Sequence, residues 1–297
     1  MSTPVVLGID IGTSSCKALL LTETGRVLAT HSAPYGVSAP RPGWSEQDPS
    51  LWIEGARVAI AGAMAKKPDA EVAVIGLSGQ MHGLTALDDK RNVLRPAILW
   101  NDQRNAAECA EITEAVGGLD ALLAATNNRM LPGYTGGKIL WLRKHEPDIY
   151  ARMRHVLNPK DYLRLVLTGE LATEVSDASG TGLFDVRARK WSPTVIEAMA
   201  LDRDLLPACH ESHEISGRVT PSAARLFGLK EGIPVAGGGG DSVIQTIGSG
   251  VMSPGLLQTT LGTAGILACA LDEPMNNPDG RLQVFCNVSP GSWHCMG

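Results

Sequence analysis

Residues 233–263 run IPVAGGGGDSVIQTIGSGVMSPGLLQTTLGT. An apolar run enters four glycines and then presents one carboxylate, Asp241. Further on, a second apolar strand opens into Leu261-Gly262-Thr263, small residues suited to a phosphate turn. Residues 8–17 repeat the plan as GIDIGTSSCK: a strand end, Asp10, Gly12 and a string of hydroxyls. Phosphate binding needs backbone N–H groups that come close to the anion, and glycine permits that approach. Two such units, each with an aspartate, point to a nucleotide held between two lobes.

Working outward from these units, the N-terminal third reads as three strands, over 5–12, 17–22 and 26–32, with residues 23–26 as a hairpin turn. A helix follows, with Asp48 as N-cap, Pro49 at its first position, and Trp52, Ala56, Ala59, Ile60 and Ala63 as its buried stripe. The same cap-then-proline signal recurs at Asn158-Pro159, Ser192-Pro193 and Thr220-Pro221, and two of those segments stop at Gly169 and Gly228. Between the helices, VAVIGLS (72–78) and PAILW (96–100) read as strands covered on both faces. Antiparallel strands followed by alternating helices and strands predict an α/β architecture, a mixed sheet flanked by helices. The polar linker 229–232 marks a domain boundary, giving a first domain over 1–232 and a second over 233–297. About 65 residues are marginal for an independent core, so the second domain is expected to be only the beginning of one.

Composition sets the broad class. The chain has 297 residues, 44% of them hydrophobic, and a net charge of -5 without a Lys/Arg cluster. That charge gives no field for a nucleic-acid backbone. No signal peptide and no apolar run long enough for a membrane span stand out. Cys16, Cys109, Cys209, Cys269, Cys286 and Cys295 are scattered, as in reduced cytoplasmic proteins. The run Cys209-His210-Glu211-Ser212-His213 lacks a second ligand pair at zinc spacing.

Each candidate site residue also has a structural reading. Asp10 can hold Mg²⁺ directly or through water, with Thr13 and Ser14 as hydroxyl donors, or it can belong to a plain turn. In Ser78-Gly79-Gln80-Met81-His82-Gly83, Gln80 and His82 can hydrogen-bond hydroxyls beside an apolar Met81, or His82 can be structural. Trp100, Asn101, Asp102 and Arg104 suit a polyol or an ordinary strand end. Asp241 can accept a proton from an attacking hydroxyl, or cap the helix over 242–247.

Together these segments resemble the FGGY family of carbohydrate kinases. The matching segments are GIDIGTSSCK, PGWSEQDP, SGQMHG, LRPAILWNDQR, LNPKDYLRLVLTGE, SDASGTGLFDV, AGGGGD and LGTAG, in family order. SGQMHG with WNDQR resembles the xylulokinase branch. The resemblance implies a ribonuclease H-like, actin-like ATPase fold in two lobes: an N-terminal sugar-binding one and a C-terminal nucleotide-binding one. It implies ATP with Mg²⁺ and a small sugar as partners, D-xylulose phosphorylated at its 5-position, and it leaves room for a homodimer. It implies Asp241 as catalytic base and Asp10 as the residue positioning Mg²⁺-ATP. Thr13, Ser14, Lys17, Gly262 and Thr263 would lie near the nucleotide, and Met81, His82, Trp100, Asn101 and Asp102 near the sugar. Ser242 departs from the family's usual asparagine, which leaves another ketose, polyol or sugar acid open. Family members continue well past the position of Gly297, so the chain is expected to lack the adenine pocket and to be inactive alone. A non-catalytic sugar-binding remnant of such a kinase is the alternative.

Overall fold

The computed structural model describes residues 3–261 and 265–297. Its first sheet is built on strands β1 (Thr3–Ile11), β2 (Ser15–Leu21), β3 (Val27–Pro34) and β4 (Ala70–Gly79). It is completed by β5 (Ile215–Arg218), β6 (Pro234–Ala236) and β7 (Gly239–Gly240). The order is β5-β6-β4-β1-β2-β3, with β7 also on β4. Short turns make β1, β2 and β3 antiparallel. The return to β4 runs through helix α1 (Pro49–Ala65), which makes β4 parallel to β1.

Helix α1 forms as its punctuation dictates. Asp48 accepts the Ser50 N–H at 2.8 Å, and Trp52, Ala56, Ala59, Ile60 and Ala63 are all fully buried. The Thr220 hydroxyl likewise accepts the Ala223 N–H at 3.2 Å. Asn158 occupies a cap position without capping; its Oδ1 accepts the Thr135 hydroxyl at 3.4 Å instead.

Period-2 alternation divides the sheet faces. Val5, Leu7, Ile9 and Ile11 of β1 and Cys16, Ala18 and Leu20 of β2 are buried in the core with α1. The alternate residues Val6, Gly8, Asp10, Lys17, Leu19 and Leu21 line a cleft on the other face. The expectation that VAVIGLS is covered on both faces is therefore corrected, since Gly76 and Ser78 also open onto that cleft. PAILW contributes only Ala97–Ile98, which pairs with Glu46–Gln47 outside the first sheet.

Helices α2 (Thr135–His145), α3 (Pro159–Thr168) and α4 (Val175–Ser179) follow β4 in the chain, and Leu163 and Leu167 of α3 join the α1 core. The second sheet is antiparallel, in the order β8-β9-β11-β10, from β8 (Leu257–Leu261), β9 (Gly265–Leu271), β10 (Gln283–Cys286) and β11 (Trp293–Met296). Its buried residues Val284, Phe285 and Trp293 share one core with Tyr134, Leu142 and Phe184. Among the described residues, no helix is long and apolar enough to cross a membrane.

Trp52 links the α1 core to the site, because its indole N–H donates to Gln47 Oε1 at 2.7 Å. Trp52→Ala is expected to cost about 3–5 kcal/mol, the range for emptying a buried aromatic site. A urea midpoint unchanged from the parent chain would contradict that placement.

Candidate active site

The strand register assembles the acidic centre. Asp10 on β1 lies directly across from Lys17 on β2 and from Ser78 on β4. The Ser78 hydroxyl donates to Asp10 Oδ1 at 2.9 Å. Burial raises the Asp10 carboxyl above its ordinary value, against the pull of that hydroxyl bond and of the Lys17 charge.

Asp241 reaches the same place by another route. Gly239 pairs with Ser78 and Gly240 with Gly79, so the chain leaves the sheet at Asp241, where helix α5 (Asp241–Gly248) begins. Two glycines there are required by geometry. Gly238 has φ +76°, and any Cβ on it would run into the Leu77 carbonyl. A Cβ on Gly240 would lie 2.5 Å from Met81 Cγ. Asp241 is the first residue of the helix with Gly240 in the cap position, so the N-cap reading of Asp241 does not hold. Its Oδ1 accepts the adjacent Ser242 N–H at 2.8 Å. Burial first, and the Asp10 charge second, push the Asp241 carboxyl up to about 7.

Asp10, Lys17, Met81, His82, Trp100 and Asp241 share the walls of one cleft of about 830 Å³. His82 has φ +66°, unusual for a side chain of its size. Its backbone carbonyl accepts Lys138 Nζ at 2.7 Å and the Thr135 hydroxyl at 3.1 Å. Burial and the nearby Lys138 ammonium hold the imidazole down to about 3, so it is neutral. Nδ1–H donates to the Gly180 carbonyl at 2.6 Å, which leaves Nε2 as an acceptor.

The remaining expected residues lie elsewhere. Thr13 and Ser14 form the β1–β2 turn but are not in the cleft wall; Trp100 Nε1 donates to the Thr13 hydroxyl at 3.0 Å. Asn101 is exposed outside the wall. Asp102 is fully buried, its carboxylate taken by the Ser45 N–H at 2.6 Å and the Arg104 guanidinium at 2.7 and 2.9 Å. Arg104 in turn lies 3.6 Å over the Trp44 ring, so this pair braces the loop. Gly262 and Thr263 lie outside the described residues.

Gln80 is the clearest misreading. It is 1% exposed, and its amide bonds Gln47 Oε1 at 3.1 Å while its oxygen accepts from Thr13. Gln47 Nε2 also donates to the Thr13 and Gly36 carbonyls, at 2.9 and 2.8 Å. These two buried amides hold the Gly12–Ser14 turn from beneath and have no group left for a sugar. Gln47 and Trp52, both near the proline of the PGWSEQDP segment, carried the only sequence signal for this support.

Among the described residues, no three His, Cys, Asp or Glu side chains gather as a metal cage. Asp10 and Asp241 offer two hard carboxylates instead. That set fits Mg²⁺, which keeps waters and substrate phosphates as its other ligands.

Residues 5–248 match the family model for the FGGY family of carbohydrate kinases, N-terminal domain. The chain belongs to that family. It is 41% identical over 290 residues to the xylulose kinase of Escherichia coli K12, covering 98% of this chain and 59% of that protein. It superimposes at TM-score 0.94 on a Brucella ovis kinase described as a xyloylose kinase, at 41% identity and covering 99% of this chain and 60% of that one. The Rhodospirillum rubrum xylulose kinase matches at TM-score 0.93 and 31% identity, with 99% and 60% covered. The FGGY chain described here thus spans about 60% of the length of these relatives. The architecture is that of the actin-like ATPase fold, as the resemblance implied.

The raised Asp241 sets a pH dependence. An unfolded chain releases this proton near pH 4, whereas the folded one holds it to about 7. The folded state therefore loses stability as pH rises between those values. Asp241→Asn is expected to melt higher than the parent above pH 7, with the gap closing toward pH 4. A gap independent of pH would contradict the burial of this carboxylate. Asp10→Asn removes only the smaller cause, so a carboxyl ¹³C titration should find Asp241 lowered but still above ordinary aspartate.

Proposed function

We propose that the protein to which this chain belongs transfers the γ-phosphoryl group of ATP to D-xylulose, giving D-xylulose 5-phosphate and ADP. The observation that carries this reading is the pair of facing acids, Asp10 and Asp241, in one cleft with a carboxyl tuned to about 7. A general base works best with a pKa near the working pH, and carboxylates reach that range by burial. Ionised Asp241 accepts the proton of the sugar's terminal hydroxyl as that oxygen bonds to phosphorus. The bond from phosphorus to the β–γ bridging oxygen breaks, and its electron pair leaves with ADP. Asp10 would hold Mg²⁺, which would supply neutralisation of phosphate charge. Lys17 beside Asp10 adds a second positive charge on the same face.

Met81 and His82 form the sugar-facing wall, with Trp100 at its rim. The neutral His82 accepts a sugar hydroxyl through Nε2 and carries no charge that would demand an acidic ligand. The Ser242 hydroxyl lies 3.0 Å from Met296 Sδ and so faces the second sheet. The choice among related ketoses then falls to the rest of the wall. The boundary between the sugar-holding and nucleotide-holding parts was placed at Gly232 from sequence. We place it instead after Gly240, because β6 and β7 both bond to β4 of the first sheet and the N-terminal family model extends to residue 248.

The test is ATP-dependent ADP release with D-xylulose and a panel of ketoses, polyols and sugar acids, using the longest form of the protein. D-xylulose is expected to give the highest kcat/KM, rising with pH through a limb near 7. Asp241→Asn should lower kcat by about 10²–10⁴-fold with a smaller change in KM, the usual range for a lost general base. Full activity in that variant would remove Asp241 from the chemistry.

A further inference from the structure

Five charged side chains, Lys160, Asp161, Arg164, Glu174 and Asp177, lie fully buried between α3 and α4, away from the cleft walls. Lys160 Nζ is 2.6 Å from Asp161, 3.1 Å from Asp177 and 3.5 Å from Glu174, and Arg164 is 2.8 Å from Asp161. Burial pushes the Asp177 carboxyl well above its ordinary value, against the pull of the Lys160 charge. Burial works against the Lys160 ammonium as well, yet the surrounding carboxylates hold it above the ordinary lysine value. Buried ion clusters are a poor source of stability, and apolar replacements of similar volume are often neutral or better. Stability alone does not explain this one.

Its spare hydrogen bonds converge on the glycine run before Asp241. At one end the Arg164 guanidinium donates to the Gly237 carbonyl, and Lys160 Nζ lies 3.5 Å from the same oxygen. At the other end the Gly240 N–H donates to the Ser176 hydroxyl at 3.0 Å, which donates on to Glu174 at 2.9 Å. Between them the Gly238 N–H donates to the Ser212 carbonyl at 2.9 Å, and the Ser212 hydroxyl donates to Glu174 at 2.6 Å. A run of glycines has the most conformational freedom a chain can have, so its geometry must be imposed from outside.

We propose that Lys160 and Arg164, acting directly, and Glu174, acting through Ser176 and Ser212, are positioning residues that grip both ends of the run 237–240 and so hold Asp241 on the side of the cleft that carries Asp10. This rests on Asp241 being the base of the reaction proposed above.

Amide hydrogen exchange on this chain tests it, with Ser176→Ala removing one hydroxyl and Arg164→Lys keeping the charge but losing the forked donor. In each folded variant, exchange at Gly239, Gly240 and Asp241 is expected to rise about tenfold, while β1 and β4 keep their protection. By calorimetry, D-xylulose affinity should fall about threefold or more. If Arg164→Lys fails to fold, Ser176→Ala decides alone. Unchanged exchange in the run, or a rise spread evenly over the first sheet, would overturn the proposal. A parent chain that binds no D-xylulose counts against the kinase reading, while the exchange comparison still decides the positioning.

Discussion

The pairing of β4 with β1 on one side and with Gly239–Gly240 on the other is the constraint on which the site depends. Parallel neighbours end at the same edge of a sheet, so three sequence-distant segments deliver their polar residues to one place. Asp10 and Ser78 arrive because they are register partners, and Asp241 arrives because its glycines occupy the next lane. No loop has to search for this geometry. It is a consequence of which strands hydrogen-bond to Ala70–Gly79.

That arrangement sets two carboxylates close together in a partly dry cleft, which the folded state resists. Like charges and burial both favour the protonated form, and Asp241 carries most of that strain as a carboxyl raised to about 7. The same siting that weakens the fold above neutrality would give the proposed base its working range, a common relation between stability and activity. Asp10 is eased by the Ser78 hydroxyl and the Lys17 charge, whereas the Asp241 carboxyl is eased by backbone N–H groups, its own and that of Ser242. Of the two acids, the one without a side-chain partner is the one proposed above as the base.

Much of this was legible in the residues. The β1–β2–β3 hairpins, the capped helices at Pro49 and Pro221, and the two aspartates after apolar runs all obey short-range rules, and the structure places them accordingly. What escaped depends on partners far away in sequence. Gln80 follows a strand like any ligand-binding residue, and only Gln47 and the Thr13 turn show that its amide is fully engaged. Asp102 and Arg104 read as cleft residues until Trp44 and Ser45 cover them. Lys160, Asp161 and Arg164 have the spacing of a solvated helix face, and nothing local in LNPKDYLRLVLTGE reveals that the face is buried.

These hidden polar groups share one location. The amide pair Gln47 and Gln80 lies under the Asp10 turn, Lys138 under the His82 carbonyl, and the ion cluster under the run leading to Asp241. Each holds backbone at a point where the chain is bent or glycine-rich. Apolar packing fixes positions poorly at such points, because little side-chain surface is present to interlock. Directional bonds from buried amides and charges supply the missing restraint, and burial shields them from competing water. A cleft built on turns and glycines therefore needs a polar layer behind it, however apolar the rest of the core.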